Sequence, residues 1–141
     1  MTASGTIDLM AVKNDYQFHL NDAPSDKFMQ WIRTNTKKSD IFLAKQELFD
    51  PITLSGRYNY LGHDYYLSVM GYNITQRKLF TKTFFEAHSL ETVSKMRKEK
   101  IKYLAIPNKP VSDFSYKIDM MFLKGHLFKS YEDNDVIVFK L

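Results

Sequence analysis

The chain of 141 residues contains no cysteine, only five glycines and a single tryptophan. The lack of cysteine excludes a disulfide framework, a thiolate zinc site and a cysteine nucleophile. No stretch approaches the roughly 18 consecutive apolar residues of a membrane-spanning helix. The N-terminus also lacks the basic region and apolar region of a secretory signal. We therefore expect a soluble chain that carries no export signal of its own.

Neither sign of charge is in large excess. Lys and Arg number 20 and Asp and Glu number 16, which gives a formal net charge of +4. The two signs alternate along most of the chain, as on an ordinary solvated surface, and we expect no nucleic-acid partner. The basic run 95–102 is interpreted as the outer face of an amphipathic helix.

The motifs of several chemistries are absent. No glycine-rich loop follows a strand, so the backbone amides that cradle nucleotide phosphates are not predicted. A GxSxG nucleophile elbow is missing as well. The four histidines lie far apart in sequence, which disfavours a metal site: His19, His63, His88 and His126. The sequence therefore predicts no cofactor, no metal and no catalytic residue.

The first half of the chain predicts one helix and one buried strand. Residues 1–24 form an irregular lead-in with a short extended piece over 6–12. A helix capped by Ser25 follows, because Phe28, Trp31 and Ile32 recur at i, i+3 and i+4. The apolar run 41–44 is typical of a strand buried on both faces, and we expect it to be the central strand. Asp50-Pro51 begins a turn or short helix that ends at 55–57.

Two helices and a second buried strand are predicted next. Thr75 begins a helix, and Ser89 caps another. Residues 101–106 form the strand. The side chains expected to face inward are Leu79, Phe80, Thr83, Phe84 and Ala87 on the first helix, and Leu90, Val93 and Met96 on the second.

The C-terminal part predicts a further helix and a β-hairpin. Ser112 or Asp113 caps the helix, and Gly125 ends it. Its inward side chains are expected to be Phe114, Ile118, Met121 and Phe122. Residues 127–131 and 136–139 flank a polar turn, which predicts the hairpin.

The alternation of helices and strands predicts an α/β fold, a three-layer sandwich with a small mostly parallel sheet and a C-terminal antiparallel β-hairpin. The strands at 41–44 and 101–106 should be parallel neighbours, and the hairpin should add an antiparallel edge. We expect a lead-in segment at 1–24 and a single α/β domain at 25–141.

The tyrosine-rich segment between 56 and 77 holds the candidate ligand site. Arginine clasps carboxylates or phosphates, and tyrosines offer flat faces and hydroxyls that suit sugars. The structural alternative is that the tyrosines fill the edge of the core and the arginines pair with carboxylates; residue chemistry leaves both open. The candidate ligand-binding residues are Arg57, Tyr58, Tyr60, His63, Asp64, Tyr65, Tyr66 and Arg77.

A series of short motifs, spread over nearly the whole chain, resembles the C-terminal soluble region of GT-C type glycosyltransferases, the polytopic membrane proteins that include protein mannosyltransferases and oligosaccharyltransferases. The motifs are Ser4-Gly5, Lys13-Asn14-Asp15, Trp31-Ile32, Asn35-Thr36, Ile41-Phe42-Leu43, Asp50-Pro51, Leu54-Ser55-Gly56-Arg57, Leu61-Gly62, Gly71-Tyr72, Arg77, Phe128, Tyr131 and Val136-Ile137. The chain departs from the family pattern after Leu61-Gly62, where His63-Asp64 stands in place of Trp-Pro.

The resemblance implies an extracytoplasmic domain that faces the periplasm or the cell surface as part of a larger membrane protein. Its partners would be the upstream transmembrane part of the same protein and a glycan or lipid-linked sugar that the domain helps to position. The resemblance also implies that the catalytic acidic residues lie upstream, so that the domain alone is non-catalytic.

Two other hypotheses stay open. A freestanding soluble α/β protein-interaction module would expose a large apolar patch, expected at the terminal hairpin, and would dimerise with concentration. A small hydrolase or transferase would need Arg57, His63 and Asp64 within hydrogen-bonding reach of one another around a pocket.

Overall fold

The computed structural model describes residues 25–47, 50–87, 89–112 and 114–141. The predicted lead-in at 1–24, with its extended piece, lies outside the described residues. So does Asp113, one of the two predicted caps.

A five-stranded mixed sheet forms the centre of the described fold. Its strands are β1 (Ile41–Leu43), β2 (Tyr58–Asn59), β3 (Ile101–Pro107), β4 (Phe128–Glu132) and β5 (Val136–Lys140). They lie in the order β2-β1-β3-β5-β4. β1 is parallel to both β2 and β3, whereas β5 is antiparallel to both β3 and β4. The predicted α/β class, parallel neighbours and antiparallel hairpin are confirmed, but β3 rather than β1 is the central strand.

The helices of the described residues are α1 (Lys27–Asn35), α2 (Pro51–Leu54), α3 (Asp64–Val69), α4 (Thr75–Phe85), α5 (Leu90–Lys98) and α6 (Met120–His126). They cover both faces of the sheet. Alternate residues of β3 point to opposite sides: Tyr103 packs with Phe28 and Ile32 of α1. Leu104 packs with the side chains of α4, α5 and α6. Two separate apolar clusters therefore flank the sheet, as a three-layer sandwich requires.

Three helices differ in detail from the sequence prediction. The cap of α1 is Asp26 rather than Ser25, since its carboxylate accepts a hydrogen bond from Met29 N. On α4 the buried residues are Thr81, Phe84 and Phe85, while Leu79 is 63% exposed. Leu90 at the start of α5 is exposed too. A short helix at a domain edge buries a narrower stripe than its apolar residues suggest, so the outer members of the stripe face solvent.

The prediction of a helix that begins at Ser112 or Asp113 is wrong for the first half of that helix. α6 begins only at Met120, where the Asp119 carboxylate accepts a hydrogen bond from Phe122 N. The preceding residues reach the core at every second position, Phe114, Tyr116 and Ile118, which is the period of an extended chain. Gly125 lies inside α6 instead of ending it, and Met121 is 88% exposed rather than inward.

A buried ion pair fixes the amino ends of the two parallel strands. Asp40, just before β1, is 7% exposed, and both its oxygens accept hydrogen bonds from Lys102 Nζ at 2.8 and 3.0 Å. Burial pushes the pKa of Asp40 upward, but the hydrogen bonds and charges of Lys102 and Lys37 together outweigh it and leave this pKa below its usual value. The polar contacts at this end therefore hold β1 and β3 together.

Candidate functional site

The carboxyl ends of β1 and β3 form the crevice where open α/β sheets bind ligands. The chain leaves β1 towards β2 on one side and leaves β3 towards the hairpin on the other, which makes a topological switch point. A cleft of about 810 Å³ opens there beside Lys45, Asp50 and Lys109. Asp50 caps α2 by accepting hydrogen bonds from Ile52 N and Thr53 N. Because Asp50 is buried, its pKa is raised despite these bonds.

A smaller cavity of about 180 Å³ lies on the other face of the sheet, under the start of α3. Its lining residues come from the segment just after β1, the start of α3, the second half of α4 and the extended segment before α6: Ala44, Lys45, Gln46, His63, Asp64, Thr81, Phe85, Phe114 and Tyr116. Two of its polar atoms are buried without a hydrogen-bond partner, namely His63 Nδ1 and Thr81 Oγ1. Thr81 is only 1% exposed, so its hydroxyl can be reached only from the cavity itself.

The cavity combines polar atoms that can form a further hydrogen bond with an apolar wall. Its unpartnered hydroxyl and imidazole nitrogen can each complete a hydrogen bond with a ligand. Its apolar wall is made by Phe85, Phe114 and Tyr116, whose rings contact one another with centroids 4.7 to 5.1 Å apart. Apolar rings beside a few convergent polar groups are typical of ligand pockets.

Four consecutive candidate residues lie at or beside this cavity: His63 and Asp64 line it, and Tyr65 and Tyr66 follow on α3. Asp64 forms an ion pair with Lys78 Nζ at 2.7 Å, and the Lys78 hydrogen bond holds the pKa of Asp64 below its usual value. The His63 ring contacts the Tyr66 ring edge-on at 5.2 Å between centroids. Tyr66 in turn contacts Tyr65, which is 64% exposed. The structure therefore brings four of the predicted residues together at one place.

Arg57 is bound to the end of α1 instead. Its Nη2 donates to the carbonyl oxygens of Ile32, Arg33 and Thr36 at 3.2, 3.1 and 2.8 Å. Nη1 donates to Ser55 O at 2.5 Å, and Nε donates to Thr36 Oγ1 at 3.0 Å. The carbonyls of Arg33 and Thr36 belong to the C-terminal end of α1, where helix carbonyls lack intrahelical partners and a cation is favoured. These contacts support a structural role for Arg57 rather than a ligand-binding role.

Tyr60 and Arg77 are also held by internal contacts. Tyr60 is 5% exposed, and its hydroxyl donates to Glu99 Oε2 at 3.2 Å. Burial, together with the negative charge of Glu99, raises the pKa of Tyr60 to about 12. The Arg77 guanidinium lies 5.4 Å from the centre of the Tyr60 ring and donates to Tyr60 O. Tyr58 stands exposed on β2.

Arg57, His63 and Asp64 do not form the constellation that a hydrolase or transferase would need. The donors of Arg57 are used at α1, and the carboxylate of Asp64 is engaged by Lys78. Within the described residues there is no group of three or more His, Asp or Glu side chains that could hold a metal ion. Across that same part of the chain, no helix is long and apolar enough to cross a membrane.

Sequence reasoning missed Thr81 as a site residue. One signal was available: Thr81, Phe84 and Phe85 recur at i, i+3 and i+4, so a hydroxyl occupies an inward position of α4. The contributions of Lys45 and Tyr116 had no such signal, because they come from irregular segments far apart in sequence.

The chain was also compared with known proteins. No protein-family model matches it, and the curated proteins include no match to it. What the chain does is therefore inferred from its residues, its geometry and the resemblance of its motifs.

Proposed function

We propose that this chain is a non-catalytic extracytoplasmic domain of a GT-C-like glycosyltransferase membrane protein, and that it helps to position a glycan or lipid-linked substrate. The small cavity beside His63 and Thr81 is the contact point, and Tyr65 and Tyr66 extend it to the surface. The upstream transmembrane part of the same protein would supply the catalytic residues.

One observation carries the proposal: two buried polar atoms without partners among the described residues line a cavity, and the exposed Tyr66 contacts the His63 ring at its wall. An unsatisfied buried hydroxyl costs about 1–3 kcal/mol, and a bound hydroxyl group would recover that cost. Tyrosine rings present flat faces on which a sugar ring can lie. The cavity is also large enough for a single hexose-sized group rather than for a long glycan.

The test is an NMR titration of the labelled chain with glucose, mannose and the corresponding hexose phosphates. We expect chemical shift changes at Thr81, His63 and Tyr66, and weaker binding in the Tyr66→Ala variant. Phe128→Ala is the matched control, because Phe128 is also an exposed aromatic residue but lies on the edge strand β4, outside the cavity lining. An absence of shifts around the cavity with every sugar, or an equal loss in both variants, would overturn the proposal.

A second candidate, a protein-interaction module, is favoured by a different observation. An exposed apolar patch was expected at the hairpin, where Phe128 is exposed. Many other exposed large apolar side chains belong to α3, α4 and the turn between them. A module that dimerises through this face would show a concentration-dependent dimer in sedimentation, and a monomer at high concentration would count against it.

A further inference from the structure

The outer side of α3 and α4 is apolar and aromatic although it faces solvent. Asp64 of α3 and Lys78 of α4 form the ion pair that ties the two helices together. Six exposed side chains make up what we call the α3–α4 surface: Tyr65, Tyr66, Val69, Met70, Tyr72 and Leu79. Val69 and Met70 are 69% and 71% exposed. Such a concentration of exposed apolar groups marks an interaction site rather than an ordinary surface.

The backbone turn between the helices contributes to this surface. Gly71 adopts φ +81, a left-handed conformation that L side chains rarely take, and it ends α3. Tyr72 N then donates to Leu67 O at 3.0 Å, which closes the turn. Leu67 itself packs against the core. The inward side of α3 is therefore used for folding, and the outward side is left uncovered.

The charge of this part of the chain differs from the mixed charge elsewhere. Between residues 65 and 85 there is no Asp or Glu, whereas Arg77, Lys78 and Lys82 are present. Lys78 pairs with Asp64 and Arg77 lies against Tyr60, so the exposed Lys82 is the cation that is best placed to meet an anionic group. Tyrosines, aliphatic side chains and nearby cations are the combination that places a helix at a membrane interface, where rings and methyl groups enter the headgroup boundary and cations meet lipid phosphates. A protein partner would not by itself require this one-sided charge.

We propose that the α3–α4 surface docks the domain onto a lipid bilayer that carries anionic headgroups. The inference is independent of the cavity, so a failure of sugar binding leaves it intact. Docking through this face would hold Tyr66, which contacts the His63 ring at the cavity, next to the headgroups.

The absence of cysteine allows a site-specific test on the full chain. Met70→Cys and Met121→Cys each introduce a single thiol for an environment-sensitive fluorophore. The two positions are matched, because both methionines are highly exposed and only Met70 belongs to the α3–α4 surface. With vesicles of phosphatidylcholine and phosphatidylglycerol, we expect a blue shift and rise in emission at position 70 and none at position 121.

Vesicle sedimentation measures the affinity with a second pair of variants. Lys82→Gln should weaken binding about fivefold, because one cation near an anionic surface contributes about that much. Lys98→Gln removes an exposed lysine from the basic face of α5 and should change little. The Val69→Ser, Met70→Ser double variant should weaken binding roughly tenfold or more, since it removes the inserted apolar area. Added salt should weaken the binding of every variant.

Several results would overturn the inference. Failure to bind the anionic vesicles, or equal binding to pure phosphatidylcholine, would remove the lipid partner. Equal losses in Lys82→Gln and Lys98→Gln, or a signal at position 121 alone, would place contact on another face. A change at position 70 that follows protein concentration in the absence of vesicles would identify the surface as an interface between two copies of the chain.

Discussion

The contacts of Arg57 predict a stabilising role that a ligand-binding role would not produce. In Arg57→Ala, three carbonyl oxygens lose a charged donor: Arg33 O, Thr36 O and Ser55 O. Ile32 O keeps another donor, Thr36 N. At about 1 kcal/mol for each of the half-buried bonds to Thr36 O and Ser55 O, and less for the exposed bond to Arg33 O, the free energy of unfolding should fall by about 2.5 kcal/mol. For a domain of this size the melting temperature should fall by roughly 10 °C.

Urea unfolding followed by tryptophan fluorescence is the assay. Trp31 is the only tryptophan and lies on α1, the helix that Arg57 holds. Arg57→Lys should retain one bond and cost about 2 kcal/mol, because an ammonium cannot present the planar fork. Arg97→Ala, at an exposed arginine of α5, is the control. If Arg57→Ala unfolds within about 0.5 kcal/mol of the original chain, the assignment of Arg57 to the helix end is refuted.

Three further predictions concern single side chains. Because Lys102 and Lys37 together leave the pKa of Asp40 below its usual value, these contacts of Asp40 stabilise the fold above about pH 4, the unfolded pKa, and lose their effect as the pH falls through the folded pKa. The difference in unfolding free energy between the original chain and Asp40→Asn should therefore shrink from pH 7 to pH 3, and a constant difference would contradict this. Thr81→Val should leave the free energy of unfolding unchanged or raise it by up to about 1 kcal/mol, since the hydroxyl has no partner among the described residues. The same variant should abolish the sugar-induced chemical shift changes at the cavity. A large loss of stability would show that the hydroxyl is bonded. Glu99→Gln should bring the pKa of Tyr60 down from about 12, because it removes a neighbouring negative charge, and an absorbance titration that shows no earlier ionisation would argue against the contact.

Local patterns predicted most of the fold. The apolar spacing of α1, the capping Ser89 of α5 and the continuous apolar runs of β1 and β3 all lie within one element, so sequence spacing alone reveals them. β2 could not be predicted, because it is two residues long and exists through its pairing with β1. The extended course of 114–118 was missed for a related reason: its period-two apolar pattern also fits part of a helix face, and packing against Phe85 selects the extended form.

The candidate site was also predictable from the sequence only in part. His63, Asp64, Tyr65 and Tyr66 were found together because they are neighbours in sequence, and a short helix keeps them together. The sequence by itself determined the absence of thiol chemistry, the α/β alternation and the one-sided charge between 65 and 85. Only the tertiary structure decided that Arg57 would close the end of a helix that precedes it by more than 20 residues. Packing also decided that the Thr81 hydroxyl would face a cavity, because burial and partners depend on which distant segments meet, and spacing along the chain carries no information about that.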